Sequence, residues 1–306
     1  MVLYVIFSDS VRTIYKTSIC SKATFIIYFI NILTFLIPFL VAYRSQGLWL
    51  KIDTYKEQPD VNFMYEYFIM LETNKIESPV ICTTFKVLSA ATEEFNGCPV
   101  IKVKEDDYDK DGKKDKLYFE AEAQLSPSEH VYSVTVLLLF NYKLYSHSWF
   151  EMEGAAWVQS SSPLGGGRFQ ASGQLSLHQT SLFNHQGRDT RYNTSIVTAT
   201  ELHQFSLFDM LAQYADRNVS TRLENVYTVW TRGRSPDQQF ILSLQVNYPE
   251  QIIYYRPGLW QVLKLAWLQY LGLLYIAILL SRRLKHFVLD NRLVHNVKVT
   301  PWKKAM

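Results

Sequence analysis

Residues 23–43 read ATFIIYFINILTFLIPFLVAY, twenty-one positions without a charged side chain. As a helix rising 1.5 Å per residue, such a run reaches about 30 Å, the thickness of a bilayer's hydrocarbon core. A soluble core helix of this length keeps a polar stripe, and this segment has none. A cleaved signal peptide has a shorter apolar stretch ending at a small-residue cleavage site, and no clean site follows here. The run is therefore expected to be an uncleaved signal anchor, which makes the chain a membrane protein.

A second apolar run, LKLAWLQYLGLLYIAILL, covers Leu263 to Leu280, and the residues from Leu259 extend it to bilayer length. Lys264, near its first end, can snorkel to the headgroups. The two runs divide the chain into a head (1–22), a first span (23–43), a large loop (44–258), a second span (259–280) and a tail (281–306). Charge orients them. The head carries Arg12, Lys16 and Lys22 against Asp9, and the tail carries seven Lys or Arg against Asp290 alone. The loop holds 20 basic and 26 acidic residues. Short flanks rich in Lys and Arg stay in the cytoplasm, so both termini are expected inside and the loop outside or in the lumen. The sequons Asn193-Thr-Ser and Asn218-Val-Ser both fall in that loop, as glycosylation requires.

Within the loop, short β-branched and aromatic segments alternate with turn residues: VNFMYEYFIML (61–71), VIKVK (100–104), KLYFEAEAQL (116–125), VYSVTVLLLFNYKLY (131–145), FILSLQVNY (240–248) and QIIYY (251–255) among them. Gly165-Gly166-Gly167, after Pro163, reads as a flexible turn between strands. One segment has helical period, FSLFDMLAQYADRN (205–218), with Phe205, Phe208, Leu211, Ala212 and Ala215 on one stripe. The fold class expected is two transmembrane helices flanking a mainly-β, sandwich-like domain with one helix. Its first and last strands must be neighbours, because both chain ends enter one patch of membrane.

Asp107, Asp109, Asp111 and Asp115 follow the pattern D-x-D-x-D-G-x-x-D. Alternate carboxylates converge on a hard cation, and the glycine permits the reversal between them. The twelfth position is Tyr118 where a full EF-hand has glutamate, so the expectation is a structural calcium loop on a β-hairpin. The alternative is a solvated acidic turn. Cys82 and Cys98, with fifteen residues between them, fall in the oxidising compartment, where a disulfide forms if the two meet. Cys20 borders the first span and is a candidate for palmitoylation or an unmodified interfacial thiol. Asn31 and Gln269 are the polar positions of the two spans, expected to pair with each other, with partner spans or with their own backbones. Trp49 and Trp260, each after Gly-Leu, suit the headgroup zone as anchors. No H-E-x-x-H, G-x-S-x-G or phosphate loop occurs, so no enzyme is expected. The short basic tail lies against the membrane, where it touches anionic lipid rather than nucleic acid.

Several segments together resemble the transmembrane protein 231 family: LYVIFS at the start, CSKA before the first span, AYRSQGLWLK after it, TYKEQPDVNF, EDDYDKDGKKD, VQSSSP, RYNTSIV and YRPGLWQVLKLAWLQY. The resemblance runs nearly the full length. It implies a component of the ciliary transition zone, within the Meckel-syndrome/tectonic assembly of membrane and cytosolic proteins. That assembly limits exchange between plasma and ciliary membranes and supports Hedgehog signalling. Two other readings share the layout. An escort subunit of a flippase-type transporter would bring several loop disulfides, and a lumenal enzyme would need an acid/base or nucleophile cluster.

Overall fold

The computed structural model describes residues 14–19, 21–45, 50–75, 79–89, 97–199, 201, 203 and 205–299. In chain order its elements are β1 (Ile14–Lys16), α1 (Lys22–Arg44), β2 (Asp53–Glu57), β3 (Asp60–Thr73), β4 (Val80–Thr83), α2 (Lys86–Ser89), β5 (Val100–Asp106), β6 (Lys116–Ala123), β7 (Val131–Leu144), β8 (Trp149–Gln179), β9 (Phe183–Asn184), β10 (Arg188–Tyr192), α3 (Leu207–Ala215), β11 (Val219–Arg232), β12 (Phe240–Asn247), β13 (Gln251–Arg256), α4 (Leu259–Asp290) and β14 (Val297–Val299). They form two compact units, one from both ends of the chain (1–51 and 257–306) and one from residues 52–256.

In the first unit, α1 and α4 are the helices long and apolar enough to cross a membrane among the described residues. Ser21 caps α1 by accepting the Thr24 N–H at 3.3 Å, and the helix runs through Pro38. Ile30, Thr34 and Ile37 of α1 line one groove with Ala277, Ser281 and Leu284 of α4. These spacings of three and four place each set on a single helix face. The two hydroxyls at the seam are satisfied within their own helices: Thr34 donates to the Ile30 carbonyl at 2.7 Å and Ser281 to the Ile278 carbonyl at 3.2 Å. Small groups bonded in this way let the backbones approach without leaving polar atoms in hydrocarbon. Before α1 and after α4, β1 and β14 pair antiparallel, Ile14 opposite Val299.

One expectation for the spans changes. The second helix continues past Leu280, where the expected span ends, to Asp290, 32 residues in all, about 48 Å at helical rise. The extension carries Arg282, Arg283, Lys285 and His286. It also moves the helix end from which depth is measured, so Asn31 does not meet Gln269. The Asn31 carbonyl oxygen accepts from the Lys285 ammonium. Gln269 lies sixteen positions from Lys285, about 24 Å further along α4, and its side chain is exposed.

The second unit is built on β strands. β2 and β13, its first and last, pair antiparallel from Glu57 opposite Gln251 to Asp53 opposite Tyr255, and β9 adds to the far side of β13. The large sheet has the order β4-β3-β7-β8-β12-β6-β5, with β10 and β11 also on β8. If flat, this order would put β3 and β6 four strand spacings apart, about 19 Å. Yet the Tyr67 ring of β3 lies 5.6 Å from the Phe119 ring of β6, and Phe63 lies 6.0 Å from Phe119. The sheet therefore folds over, and its two halves enclose one core from Val61 and Phe63 through Phe119, Phe140 and Phe169 to Val246.

β8 makes the fold-over possible because it serves both halves. Its residues 150–161 pair with β7, while 166–179 pair with β11 on one edge and 168–174 with β12 on the other. The expected flexible turn at Gly165-Gly166-Gly167 is thus the middle of a 31-residue strand. The glycines answer distant neighbours rather than a local reversal. A Cβ on Gly167 would fall 2.3 Å from the Gly233 carbonyl oxygen, so only glycine permits that approach of two backbones.

A smaller cluster covers the other face of β7 and β8, where Leu137, Leu139 and Ala155 pack with Met210 and Tyr214 of α3. Phe205 and Leu211 of the expected α3 stripe pack against this cluster, and Phe208 does not. Met210 and Tyr214 are buried, and Phe208 is 78% exposed. Hydrogen bonding decides it: the Tyr214 hydroxyl accepts the Ala155 N–H at 3.0 Å and the Thr221 N–H at 2.7 Å. Buried backbone donors need such partners, and Thr221 shares the task, its hydroxyl accepting the Ala155 N–H at 2.8 Å.

Two predictions arise here. Cys82 and Cys98 are disulfide-bonded, their Cα atoms 5.7 Å apart and both side chains buried in the main core. Closing a loop of this length restricts the unfolded chain by about 3 kcal/mol, so Cys82→Ser should lower the urea midpoint of the full-length protein correspondingly. An unchanged midpoint would mean that the bridge adds nothing. Glu129, buried in the turn between β6 and β7, is paired with Lys75 and accepts the Ser126 N–H at 2.9 Å. Lys75 in particular holds its carboxyl below the usual value. A carboxylate depressed in the folded state adds stability above its unfolded pKa and loses it as pH falls through the lowered one. The stability difference between the parent and Glu129→Gln should therefore be present at pH 6 and shrink steadily as pH falls below the ordinary carboxylate range and through the lowered value. A difference that does not change with pH across the acid range would assign the effect to packing instead.

Candidate functional site

β5 and β6 pair out to Asp106 opposite Lys116, which leaves residues 107–115 to reverse the chain. Gly112 takes a φ of +92°, the left-handed region that glycine enters freely. Around it the acidic side chains fold inward onto backbone donors. Asp107 accepts the Lys110 N–H at 2.6 Å and the Gly112 N–H at 3.1 Å. Asp109 accepts the Asp111 N–H at 3.2 Å. Asp115 accepts the Tyr108 N–H at 2.6 Å and the Gln58 amide at 2.8 Å. The result is a three-sided cradle: ligand oxygens of Asp107, Asp109 and Asp115 all lie within 4.8 Å of one another. Asp111 is not brought into it. Its carboxylate turns away to accept the Lys113 N–H at 2.7 Å.

The electrostatics separate the members. The Tyr108 N–H, with Gln58 behind it, holds Asp115 below the usual carboxylate value. At Asp109 the Asp111 N–H also pulls downward, but desolvation and the charges of Asp111 and Asp115 outweigh it and the net shift is upward. Such a site has more negative charge than its donors neutralise, and a bound cation lowers that repulsion. Lys113 ties the loop to the β2–β3 turn by donating to the Gln58 carbonyl at 2.6 Å. Gln58 carries no sequence signal for this role, because it is 57 positions from Asp115 and meets it only through the fold.

Asn193 and Asn218 are both exposed. The Asn218 N–H donates to the Tyr192 hydroxyl at 3.3 Å, so the two sequons share one corner of the β unit. Trp260 is 83% exposed at the start of α4. Trp49 and Cys20 lie outside the described residues.

The model of the family described as Transmembrane protein 231 matches residues 1–298, from before the first span to beyond the second. The chain belongs to the transmembrane protein 231 family. The Transmembrane protein 231 of Gallus gallus is 38% identical over 295 residues, covering 95% of this chain and 92% of its own. The Homo sapiens protein of that name is 34% identical over 303 residues, covering 98% and 96%. Among solved structures, a proton-activated chloride channel covers 87% of this chain and 99% of its own at 10% identity. Its TM-score of 0.28 carries no argument about fold or activity. In this transmembrane protein 231 family member the acidic cradle, the two sequons and the two apolar helices all lie within the residues that the family match covers.

Proposed function

We propose that this protein is a non-enzymatic membrane component of the ciliary transition zone, acting within the Meckel-syndrome/tectonic complex to limit diffusion between plasma and ciliary membranes. The observation that carries the reading is the family match, which spans both helices and the β unit rather than one module. The two helices of one copy cannot enclose a pore. A folded mass of about two hundred residues on a two-helix anchor suits a protein that obstructs and docks. Both termini face the cytoplasm in this reading, the basic tail touches anionic lipid, and the β unit with its two glycans faces outward. Cilium assembly and Hedgehog signalling depend on such a barrier.

The test is proximity labelling from a tag expressed at native level in ciliated cells. Labelling of tectonic and Meckel-syndrome proteins at the base of the cilium is expected. Labelling confined to a P-type ATPase in secretory membranes would overturn the reading in favour of a transporter escort.

The acidic loop is proposed to take calcium in a structural role, with Asp107, Asp109 and Asp115 as carboxylate ligands. Extracellular calcium is millimolar, so a weak site fills there. Calcium at 100 times its dissociation constant stabilises by about 2.7 kcal/mol. The parent should melt higher in calcium than in chelator, and Asp107→Ala with Asp109→Ala should abolish the difference. A parent indifferent to chelator would remove the site.

A further inference from the structure

Arg282, Arg283, Lys285 and His286 fall together on α4, and the packing of the two helices brings this basic segment alongside the apolar run of α1. Lys285 reaches Asn31, eight residues past Ala23, about 12 Å into that run. Arg283 lines one groove with Leu33 and Ile37 of α1 and with Leu280, Leu284 and Phe287 of its own helix. The groove has a volume of about 530 Å³. The Thr34 and Ser281 hydroxyls in it are bonded to their own backbones, so its walls ask for nothing but hydrocarbon. The two neighbouring cations differ in one respect. The Lys285 ammonium has the Asn31 carbonyl oxygen, whereas the Arg283 guanidinium has no hydrogen bond or ion pair among the described residues. A guanidinium does not lose its proton, and at membrane depth it calls for an anion. Among the described residues of the first unit the carboxylate is that of Asp290. Tyr15, Lys298 at 3.1 Å and His286 at 3.4 Å already occupy it.

We propose that the groove between α1 and α4 is a site for one anionic phospholipid, with an acyl chain along its apolar wall and the headgroup phosphate on Arg283. Charge and shape together select this occupant. The groove offers an apolar surface bearing one unpaired cation, the same division that a phospholipid has between chain and phosphate. A guanidinium takes a phosphate through two parallel N–H···O bonds, and its long side chain extends toward the headgroup layer to meet it. The surrounding charge sets the headgroup. A zwitterionic lipid adds no net negative charge to a stretch in which cations outnumber the one carboxylate, and an anionic lipid does. The site deepens the reading in which the basic tail touches anionic lipid, since it replaces a diffuse surface attraction by one bound molecule.

The test uses the full-length chain in phosphatidylcholine nanodiscs that contain a small fraction of phosphatidylserine with a diazirine on one acyl chain. After illumination, peptide mapping should place the crosslinks on α1 around Leu33 and Ile37 and on α4 around Leu280 and Leu284. Arg283→Gln should lower the yield at limiting probe by at least about 10-fold, the loss of one charge-assisted contact. Arg282→Gln removes the same charge one position away, from a residue that does not line the groove, and should keep most of the yield. Arg283→Lys should retain part of it. Leu284→Trp leaves every charge in place but fills the groove, and should lower the yield as well. Equal losses in Arg282→Gln and Arg283→Gln would overturn the site and leave the diffuse attraction of the tail standing. Labelling spread evenly over both helices would overturn the groove. A phosphatidylcholine probe that labels the groove as strongly as phosphatidylserine would overturn the choice of headgroup, and with the same parity in every variant it would remove the tail's attraction too.

Discussion

A Gly167→Val chain is expected to lose the fold of its β unit rather than merely soften it. The added Cβ would sit 2.3 Å from the Gly233 carbonyl oxygen and 3.1 Å from its carbonyl carbon. Both are backbone atoms with no rotamer through which to yield. Gly233 itself holds a φ of +78°, so its segment has few other conformations through which to retreat. Relief requires β8 and β11 to separate where they pair, at Arg232 opposite Gly166. Overpacking a well-ordered interior typically costs about 1–3 kcal/mol, and more where the clash is with backbone. At least about 3 kcal/mol is expected here. Near-UV circular dichroism of the full-length protein and its resistance to limited trypsin are the checks. A native spectrum with an unchanged unfolding midpoint would show that this junction is looser than the geometry requires.

Phe140→Ala is the second large effect. Phe140 is fully buried on β7, with ring centroids 5.7 Å from Phe63 and 6.0 Å from Tyr248. It contacts both halves of the folded sheet through these rings, and truncation leaves a cavity that rigid strands cannot fill. Such changes cost about 3–5 kcal/mol, which in a unit of this size lowers the melting temperature by roughly 6–20 °C. Phe208→Ser is the matched comparison, a phenyl of the same size that is 78% exposed on α3. It should shift the midpoint by less than about 0.5 kcal/mol. Equal losses in the two variants would contradict the burial pattern.

The same pair of phenylalanines shows what could be read in advance. The two membrane helices were legible because hydrocarbon imposes a length and forbids charge. Strands facing a core on one side and solvent on the other were legible through alternation, as in β6 and β12, where alternate residues are buried. The first half of β8 was not legible. Phe150 to Ala156 are buried without a break, because one face meets the main core and the other meets α3. Period two disappears when both faces are covered. Glu151 and Glu153 also suggest a surface, yet both are buried. The Arg188 guanidinium 2.8 Å from Glu151 and the Ile196 N–H 2.9 Å from Glu153 satisfy them, and neither partner is close in sequence. The triple glycine misleads in the opposite sense, since its local signal is a turn while its cause is the approach of Gly233.

At the candidate site, the carboxylate spacing marked a loop whose Asp107, Asp109 and Asp115 side chains do converge, because alternation along a reversing chain is a local property. It could not sort Asp111 from the other three, which depends on which backbone N–H each side chain finds. The Asn31 contact failed for a related reason. Hydropathy marks where a helix leaves hydrocarbon and not where it ends, and the ten residues of α4 past Leu280 bring Lys285 to the asparagine.

The path of the chain through the bilayer is the claim on which glycans, calcium and barrier role all depend, and one experiment addresses it directly. Sealed vesicles from the endoplasmic reticulum, cytoplasmic face outward, are treated with protease, and the surviving fragment is then treated with a glycosidase. The expected result is loss of tags on either terminus, together with a protected fragment that contains the β unit and shrinks by two glycans, at Asn193 and Asn218. Cleavage inside residues 52–256 in intact vesicles, with no glycan on either asparagine, would place the β unit in the cytoplasm and contradict the account.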